Sequence, residues 1–417
     1  MSEHILVVGS GRDLPGRVRA VRPGIRTSVI CRIDYLSRLR DREEHSRIIA
    51  VRHDAPDSEW AALAAAAHGC DPFTRIATFG ERDQDRCAFI GRELGLLTHT
   101  PRTVELVHDK AAMRALLRDT GLDPTPSAAV SSLAALRSFV AEHGLPCVVK
   151  PVHGSASVGV AVVREPSELP AAYERAGGEF YGLSGRGVLA ERFHEGPQFS
   201  VEAFSENAEH QVVAVTRKFS DPEHFVELGH VVPAELAPGQ VESVHHTVGA
   251  LLDALGVASG ATHTEVVLTK DGPRVIETHL RMGGDEIPVL VREATGVDLG
   301  DFLARQASGE SVLPELRAAL AAGRLRSAAI WFAAAPSQGV ITEIRGLDEA
   351  RRTAGVDEVV LLAEPGTVCE GLQSSDSRPA SARAHGDTAD EALDAARTAL
   401  AALEFHVRTG MPVGETV

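Results

Sequence analysis

Lysine is scarce in this chain of 417 residues: only four of the 42 basic residues are lysine, at positions 110, 150, 218 and 270. A lysine is a compact point charge on a flexible stem, whereas arginine presents a broad planar fork. We therefore expect lysine where one charge must reach one oxygen in a tight pocket. Lys150 fits this expectation, because it ends the apolar run 146–150 and precedes the small-residue segment 153–159, a pattern typical of a phosphate site. Lys270, in the segment 269–272, is interpreted as a turn residue.

Other scarcities exclude several classes of protein. Aromatic residues make up 4% of the chain and the net charge is −16, which argues against nucleic-acid and anionic-membrane partners. The five cysteines form no C-x-x-C pair, as is usual for reduced thiols. The apolar run 5–8 is too short for a signal segment, and no stretch approaches the length of a membrane span. We therefore expect a cytoplasmic protein.

The first hundred residues alternate short strands and helices. Strand-like runs at 4–8, 29–30, 47–51 and 75–79 and an alanine-rich helix at 58–67 predict a small α/β layer. The turn after the first strand resembles a dinucleotide fingerprint, but its third glycine is replaced by Leu14. An architectural turn is therefore favoured over a dinucleotide site.

The rest of the chain predicts two further units. A helix is expected at 109–119 and strands at 199–204, 211–215, 263–268 and 273–277, followed by strands at 328–332 and 359–362 and a helix at 389–402. The predicted divisions are an N-terminal α/β domain (1–100), a central domain (101–325) with a small subdomain at about 125–193, and a C-terminal α/β lobe (326–417).

The strongest chemical signal is the predicted hairpin around the turn 269–272. Pairing through this turn brings Glu265 roughly opposite Glu277, and strand alternation places Glu277, His279 and Arg281 on one face. Two adjacent carboxylates repel each other unless a cation lies between them, and divalent cations would make them a clamp for terminal phosphates. Arg281 is placed to neutralise a transferring phosphoryl group. The alternative is a solvated hairpin, which the apolar flanking residues disfavour.

Taken in order, these motifs resemble the ATP-grasp superfamily. They are Asp109-Lys110, the segment 149–151 with its Gly/Ser loop, the segment 191–193, and the hairpin carboxylates with Arg281. Within the superfamily the chain resembles the L-amino acid ligases, on the segments 225–233, 263–265, 281–285 and 374–381. The resemblance implies an α/β ATP-grasp fold with a Rossmann-like N-terminal domain, and it implies a homodimer.

The resemblance also implies roles for individual residues. Those implied to contact ATP, at its phosphates, adenine or ribose, are Lys110, Lys150, Ser155, Ala156, Ser157, Glu191, the Phe193 backbone and Gln198. Those implied to hold Mg²⁺ are Glu265, Glu277 and His279, with Arg281 as the catalytic residue that stabilises an acyl phosphate. Those implied to line the amino-acid pocket are Glu227, His230, Gly284 and Asp285.

Several of these assignments leave alternatives open. His279 stands where the family usually has Asn, and it either hydrogen-bonds a metal-bound water, selects Mn²⁺ over Mg²⁺, or marks a weakened site. Lys218 either contacts ATP or is a solvated strand end. Asp285 either favours a cationic substrate group or caps a helix beginning at residue 286 or 287. The base that deprotonates the amine is His230 or His263, unless these only orient substrate or pack.

The expected function is an ATP-dependent carboxylate–amine ligase. ATP would phosphorylate a carboxylate, and an amine would displace phosphate to form an amide, with two amino acids as the expected substrates. The enzymatic alternative is another ATP-grasp ligase or carboxylase. The non-enzymatic alternative is an ATP-binding protein whose metal site decayed at His279.

Overall fold

The computed structural model describes residues 3–409 except 155–157, 181–182, 185–186, 223–224, 324–325, 335–336 and 373. Ser155, Ala156 and Ser157, predicted to cover the phosphates, lie outside the described residues. Across the described ranges, no helix has both the length and the apolar character needed to cross a bilayer.

The N-terminal unit is a parallel sheet with helices packed against it. In chain order it contains β1 (His4–Val8), α1 (Leu14–Val21), β2 (Arg26–Arg32), β3 (Arg47–Val51), α2 (Asp57–Cys70), β4 (Arg75–Thr78) and α3 (Gln84–Leu94). Its strand order is β3-β2-β1-β4 and all pairs are parallel, which confirms the predicted α/β layer. The turn after β1 packs closely against the segment after β4, because a side chain on Gly9 (φ +89°) would collide with Asp83.

A small antiparallel sheet follows. The elements are α4 (Pro101–His108), α5 (Lys110–Asp119), β5 (Ser127–Val130), α6 (Leu133–His143), β6 (Cys147–Pro151), β7 (Ala161–Val163), α7 (Leu169–Ala176), β8 (Glu179–Phe180), β9 (Leu183–Ser184) and β10 (Val188–Arg192). The strand order is β5-β10-β6-β7, with β8 and β9 paired separately. The Asp109 carboxylate accepts hydrogen bonds from two backbone N–H groups of the first turn of α5. This cap places Lys110 at the first position of α5.

A large antiparallel sheet forms the centre of the molecule. The elements are β11 (Gln198–Glu206), β12 (Glu209–Ser220), β13 (Glu227–Val232), α8 (Pro238–Leu255), β14 (Gly260–Thr269), β15 (Gly272–His279), α9 (Ile287–Thr295), α10 (Leu299–Ser308) and α11 (Leu313–Ala321). Helix α8 packs into one apolar cluster with this sheet, and α9 to α11 pack into another. The predicted hairpin is confirmed as β14 and β15, and its register places Glu265 directly opposite Glu277.

The C-terminal stretch extends this central sheet. Its elements are β16 (Ser327–Phe332), β17 (Gly339–Arg345), α12 (Leu347–Arg351), β18 (Val356–Leu361), β19 (Val368–Cys369), β20 (Ala380–Gly386), α13 (Ala389–Ala401) and β21 (Glu404–Arg408). Strands β16, β20 and β18 continue the sheet in the order β15-β14-β11-β12-β13-β16-β20-β18. Strands β19, β17 and β21 form a separate small sheet. The C-terminal segment therefore shares hydrogen-bonded strands with the centre of the protein.

The junction between the central sheet and the C-terminal strands, where β13 pairs with β16, is closely packed at Gly229. This residue of β13 pairs with Trp331 of β16, and a Cβ atom on it would overlap the indole ring and lie 2.9 Å from the Ile330 carbonyl oxygen. The Trp331 ring also lies against Phe219, at 5.4 Å between centroids, and the Arg397 guanidinium, at 4.0 Å. An added Cβ at residue 229 would therefore require the indole to shift against these neighbours.

We predict that Gly229→Ala destabilises the protein by about 1–3 kcal/mol, because overpacking displaces the Trp331 ring. Thermal unfolding followed by fluorescence measures the effect as a lowered Tm. The matched control is Gly239→Ala in the first turn of α8, where an added Cβ has no atom within 4 Å. The control keeps or raises Tm, because alanine is the better helix former. A Gly229→Ala protein that melts at or above the wild-type temperature would contradict the packing account.

Candidate functional site

One cavity collects most of the predicted nucleotide and metal residues. It lies between the small sheet and the β14–β15 hairpin, and Gly154 and Val158, which flank the undescribed segment 155–157, also line it. Its walls include apolar side chains such as Val267 and Val275. The predicted site residues that line it are Lys110, Lys150, Glu191, Phe193, Gln198, Glu227, Glu265 and Glu277.

Glu191 lies at the buried end of this cavity between two cations. Lys150 Nζ lies 2.5 Å and Arg114 Nε 2.7 Å from its carboxylate, and all three residues are buried. Burial opposes ionisation, but these two cations lower the pKa of Glu191 to about 2. Burial, opposed by Glu191, lowers the pKa of Lys150. The carboxylate predicted to read adenine is therefore already bound by Lys150 and Arg114.

Arg114 was not among the sequence-predicted site residues. It lies four residues after Lys110 on α5, so both side chains project from the same side of that helix. Its guanidinium also contacts Asp123 at 3.3 Å and donates to the Val275 carbonyl oxygen at 2.5 Å. The helical spacing from Lys110 was a signal that could have identified it.

The two opposed carboxylates are each held by a lysine. Lys218 Nζ lies 2.5 Å from Glu265, and Lys110 Nζ lies 3.2 Å from Glu277. Lys218 is buried and also contacts Glu227 at 3.3 Å, which excludes the solvated strand end. Burial lowers the pKa of Lys218, but Glu265 and Glu227 outweigh it and raise the pKa above its ordinary value. Burial likewise opposes ionisation of Glu265 and Glu277, but the lysines and histidines beside them hold both pKa values low.

Two histidines each bridge a pair of carboxylates. His263 Nδ1 lies 2.6 Å from the fully buried Glu202 and its Nε2 lies 3.4 Å from Glu265. His279 Nε2 lies 3.1 Å from Glu277, and its Nδ1 lies 2.7 Å from Glu81. Burial alone would lower both imidazole pKa values, but the carboxylates raise the pKa of His279 and raise that of His263 to about 9. The His263 ring therefore holds two N–H groups at neutral pH.

Glu81 connects the N-terminal unit to the end of the hairpin. It begins a single 3₁₀ turn (Glu81–Asp83) just after β4, and its carboxylate accepts from Arg281 Nε at 2.9 Å as well as from His279. Next to it, Gln84 Nε2 donates to the Leu280 carbonyl oxygen at 2.9 Å. Burial opposes ionisation of Glu81, but His279 and Arg281 keep its pKa low. Sequence reasoning missed Glu81, whose only signal was its position after a parallel strand.

At the other side of the hairpin, Asp285 pairs with an arginine from the C-terminal stretch. Arg378 Nη1 and Nη2 bind its two carboxylate oxygens at 2.8 and 2.7 Å, and His230 Nε2 lies 3.2 Å away. Burial opposes ionisation, but Arg378 and His230 hold the pKa of Asp285 low. Helix α9 begins at Ile287 after Glu286 with no side-chain cap, so the capping alternative for Asp285 is wrong.

Comparison with known proteins places this chain in a family. Residues 143–289 match the ATP-grasp domain, and residues 331–408 match the L-amino acid ligase C-terminal domain 2. An uncharacterised protein, y4rH of Sinorhizobium fredii, is 30% identical over 368 residues, which cover 86% of this chain and 72% of that protein. The chain belongs to the ATP-grasp family of ligases.

Two further relatives extend the comparison. The alanine–anticapsin ligase of Bacillus subtilis is 24% identical over 292 residues, 65% of this chain and 62% of that enzyme. The crystal structure of an L-amino acid ligase from Bacillus licheniformis superposes with a TM-score of 0.80 at 22% identity, covering 98% of this chain and 99% of that one. The predicted ATP-grasp fold is therefore confirmed over nearly the whole chain.

Three further predicted site residues of this ATP-grasp chain, Phe193, Gln198 and Gly284, make few of the contacts described above. The Phe193 N–H donates to the Pro146 carbonyl oxygen at 3.3 Å, so this N–H is already hydrogen-bonded within the protein. Gln198 Oε1 accepts from Ser220 Oγ at 3.5 Å. A Cβ on Gly284 would meet no atom within 4 Å, so space is open beside it.

The two hairpin carboxylates fit a magnesium ion better than the His279 imidazole does. Glu265 and Glu277 are ionised, face the same cavity and supply the oxygen ligands that Mg²⁺ takes when it also binds nucleotide phosphates. Both ring nitrogens of His279 contact carboxylates, at Glu81 and Glu277, so a metal ion would have to displace one of these contacts to bind the ring. Among the described residues, no group of three or more His, Cys, Asp or Glu is arranged to hold a metal ion.

We predict that His279 is not a metal ligand, so that His279→Asn leaves the Mn²⁺/Mg²⁺ affinity ratio within about threefold of wild type, because the oxygen ligands are unchanged. Mn²⁺ binding in the presence of ADP, with Mg²⁺ competition, measures this ratio. Electron spin-echo spectra of bound Mn²⁺ should show no imidazole nitrogen coupling. The control Glu277→Gln weakens binding of both ions. A nitrogen coupling that disappears in His279→Asn would instead establish direct ligation and the Mn²⁺ preference considered from the sequence.

Proposed function

We propose that this protein is an ATP-dependent carboxylate–amine ligase that joins two amino acids, or a related carboxylate and amine. The observation that carries the proposal is the pair Glu265 and Glu277, opposed across the hairpin in the same cavity as Lys110 and Lys150. The match to an L-amino acid ligase C-terminal domain supports amino acids as substrates.

The cavity would take the nucleotide. Lys110 and Lys150 would face the phosphates, and the Phe193 carbonyl and Gln198 would face adenine and ribose. Glu265 and Glu277 would hold Mg²⁺, which neutralises phosphate charge when bound. In support, Lys110 Nζ donates to the carbonyl oxygen of Gly154, in the segment predicted to bind phosphate, at 2.7 Å.

The reaction would take place in two displacements. A substrate carboxylate oxygen attacks the γ-phosphorus and ADP leaves, which yields an acyl phosphate. The amine nitrogen then attacks the acyl carbon, the C–O bond to phosphate breaks, and the amine loses a proton. Arg281 would stabilise the charge on the transferred phosphoryl group, because it lies two residues beyond the hairpin strand that carries Glu277.

Of the two histidines considered as the base, His230 is the better placed. His263 already holds two N–H groups between Glu202 and Glu265. His230 is buried with Nε2 directed at Asp285, and its Nδ1 has no hydrogen-bond partner among the described residues. A carboxylate-oriented imidazole with one free nitrogen would serve as a general base once the substrate amine reaches that nitrogen, which is buried in this structure.

The test of the proposal is amino-acid-dependent release of phosphate from ATP. Purified protein with ATP and Mg²⁺ is screened against the twenty amino acids singly and in pairs, with mass detection of amide products. We expect release that requires a carboxylate and an amine and falls at least about a hundredfold in Glu277→Gln. Bicarbonate-dependent release without amide product would support a carboxylase instead, and nucleotide binding with no release would support a non-catalytic protein.

We further predict that Glu81 acts through Arg281. Glu81→Gln should lower kcat about tenfold or more with little change in KM for ATP, because a neutral amide holds the Arg281 guanidinium less tightly than a carboxylate does. In an Arg281→Gln background the same change should have little further effect, since the group that it orients is gone.

The control for the loss of one negative charge from the N-terminal unit is Glu59→Gln, at an exposed position on α2. This variant should keep the wild-type kcat. Fully multiplicative effects of Glu81→Gln and Arg281→Gln on kcat would show that Glu81 does not work through the guanidinium.

A further inference from the structure

Arg378 is a buried arginine whose contacts join three segments of the chain. It lies just before β20, and its Nε donates to the Ser375 carbonyl oxygen at 2.7 Å. Nη1 donates to the Glu227 carbonyl oxygen at 3.0 Å and, with Nη2, grips the Asp285 carboxylate. Its guanidinium lies 3.7 Å from the centre of the Phe332 ring. These hydrogen bonds and the ring contact fix the orientation of the planar Arg378 guanidinium.

This arginine lies beside the proposed amino-acid pocket. Glu227, whose carbonyl oxygen it binds, lines the nucleotide cavity, and Ser375 Oγ donates to the Glu227 carboxylate at 3.3 Å. Asp285 follows Gly284, beside which there is open space. Asp285 and Glu286 both have left-handed backbones (φ 49° and 59°), a conformation that costs energy outside glycine and so requires support from neighbouring contacts.

We propose that Arg378 is a specificity-determining residue, which neutralises Asp285 and so makes the adjoining substrate position select an uncharged side chain over a cationic one. The proposal rests on the proposed function and specifies the substrate class of that site. It decides between the alternatives for Asp285, because a carboxylate that already accepts from a guanidinium and an imidazole is not a free partner for a substrate ammonium.

The electrostatic reasoning depends on how little of the pair is exposed: 6% of the Arg378 side chain and 23% of the Asp285 side chain. A cationic side chain placed next to a neutral Arg378–Asp285 pair leaves one positive charge uncompensated in a poorly solvated place. Without Arg378 the balance reverses, because Asp285 is then a partly buried anion without a guanidinium partner, and a substrate ammonium can take that place. A change at residue 378 should therefore move the preference between substrates that differ in one charge.

The experiment compares L-lysine with L-norleucine, its near-isostere without the ammonium group. For each protein, kcat/KM for both amino acids is measured as phosphate release with a common second substrate. We expect wild type to prefer norleucine, and Arg378→Gln to raise the lysine/norleucine ratio by at least about tenfold. A ratio taken within one variant cancels any general loss of activity. Thermal shift with each amino acid gives a second readout that needs no turnover.

The double variant Arg378→Gln/Asp285→Asn is the matched control. It removes both charges and should return the ratio to the wild-type range. An unchanged ratio in Arg378→Gln, or an equal gain in the double variant, would overturn the proposal. If Arg378→Gln does not fold, Asp285→Asn alone tests the same charge balance, because it leaves the guanidinium without its carboxylate partner. This variant should raise the ratio of kcat/KM for glutamate to kcat/KM for glutamine. No rise in that ratio would equally overturn it.

The result separates this inference from the proposed function. A wild-type protein without amino-acid-dependent phosphate release fails the proposed function. An active wild type whose ratios do not respond to residues 378 and 285 fails only the specificity assignment.

Discussion

One constraint explains most of the site: the β14–β15 hairpin places two negative charges opposite each other. Glu265 and Glu277 are cross-strand partners that face one cavity, and each raises the energy of the other unless cations compensate them. Each is held by one lysine and one histidine: Glu265 by Lys218 and His263, and Glu277 by Lys110 and His279. Removing one partner of such a buried pair costs roughly 3–5 kcal/mol, so these contacts also stabilise the local fold.

The same constraint explains why distant parts of the chain meet here. Each histidine has a second nitrogen to satisfy, and the partners are Glu202 from the neighbouring strand and Glu81 from the N-terminal unit. On the other side, Asp285 receives Arg378 from the C-terminal stretch. Charge pairing therefore helps to set how the N-terminal and C-terminal parts lie against the hairpin, in addition to the apolar packing of each unit.

Local sequence patterns predicted those features that depend on residues close together in the chain. Alternation and the turn at 269–272 were enough for the hairpin and the Glu265–Glu277 register, and the Asp109 cap placed Lys110 correctly. The partners of these residues were not predictable in the same way. Glu81 and Arg378 are ordinary surface-type residues by sequence, and they become site residues only when the fold brings them to Arg281 and Asp285. Sequence spacing carries no information on such contacts without the tertiary structure.

The scarcity of lysine acquires a physical reason in this network. Lys110, Lys150 and Lys218 are buried against carboxylates, whereas Lys270 is exposed in the hairpin turn. On the proposed function, a nucleotide brings several negative charges into the cavity, and the lysines must exchange a carboxylate oxygen for a phosphate oxygen. A single charge on a flexible stem can make this exchange, but a guanidinium fixed by several partners, as Arg114 is by Glu191 and the Val275 carbonyl, cannot do so without breaking all of them. On the proposed function, the carboxylates that the lysines leave would then need another cation, and a divalent metal ion would supply it.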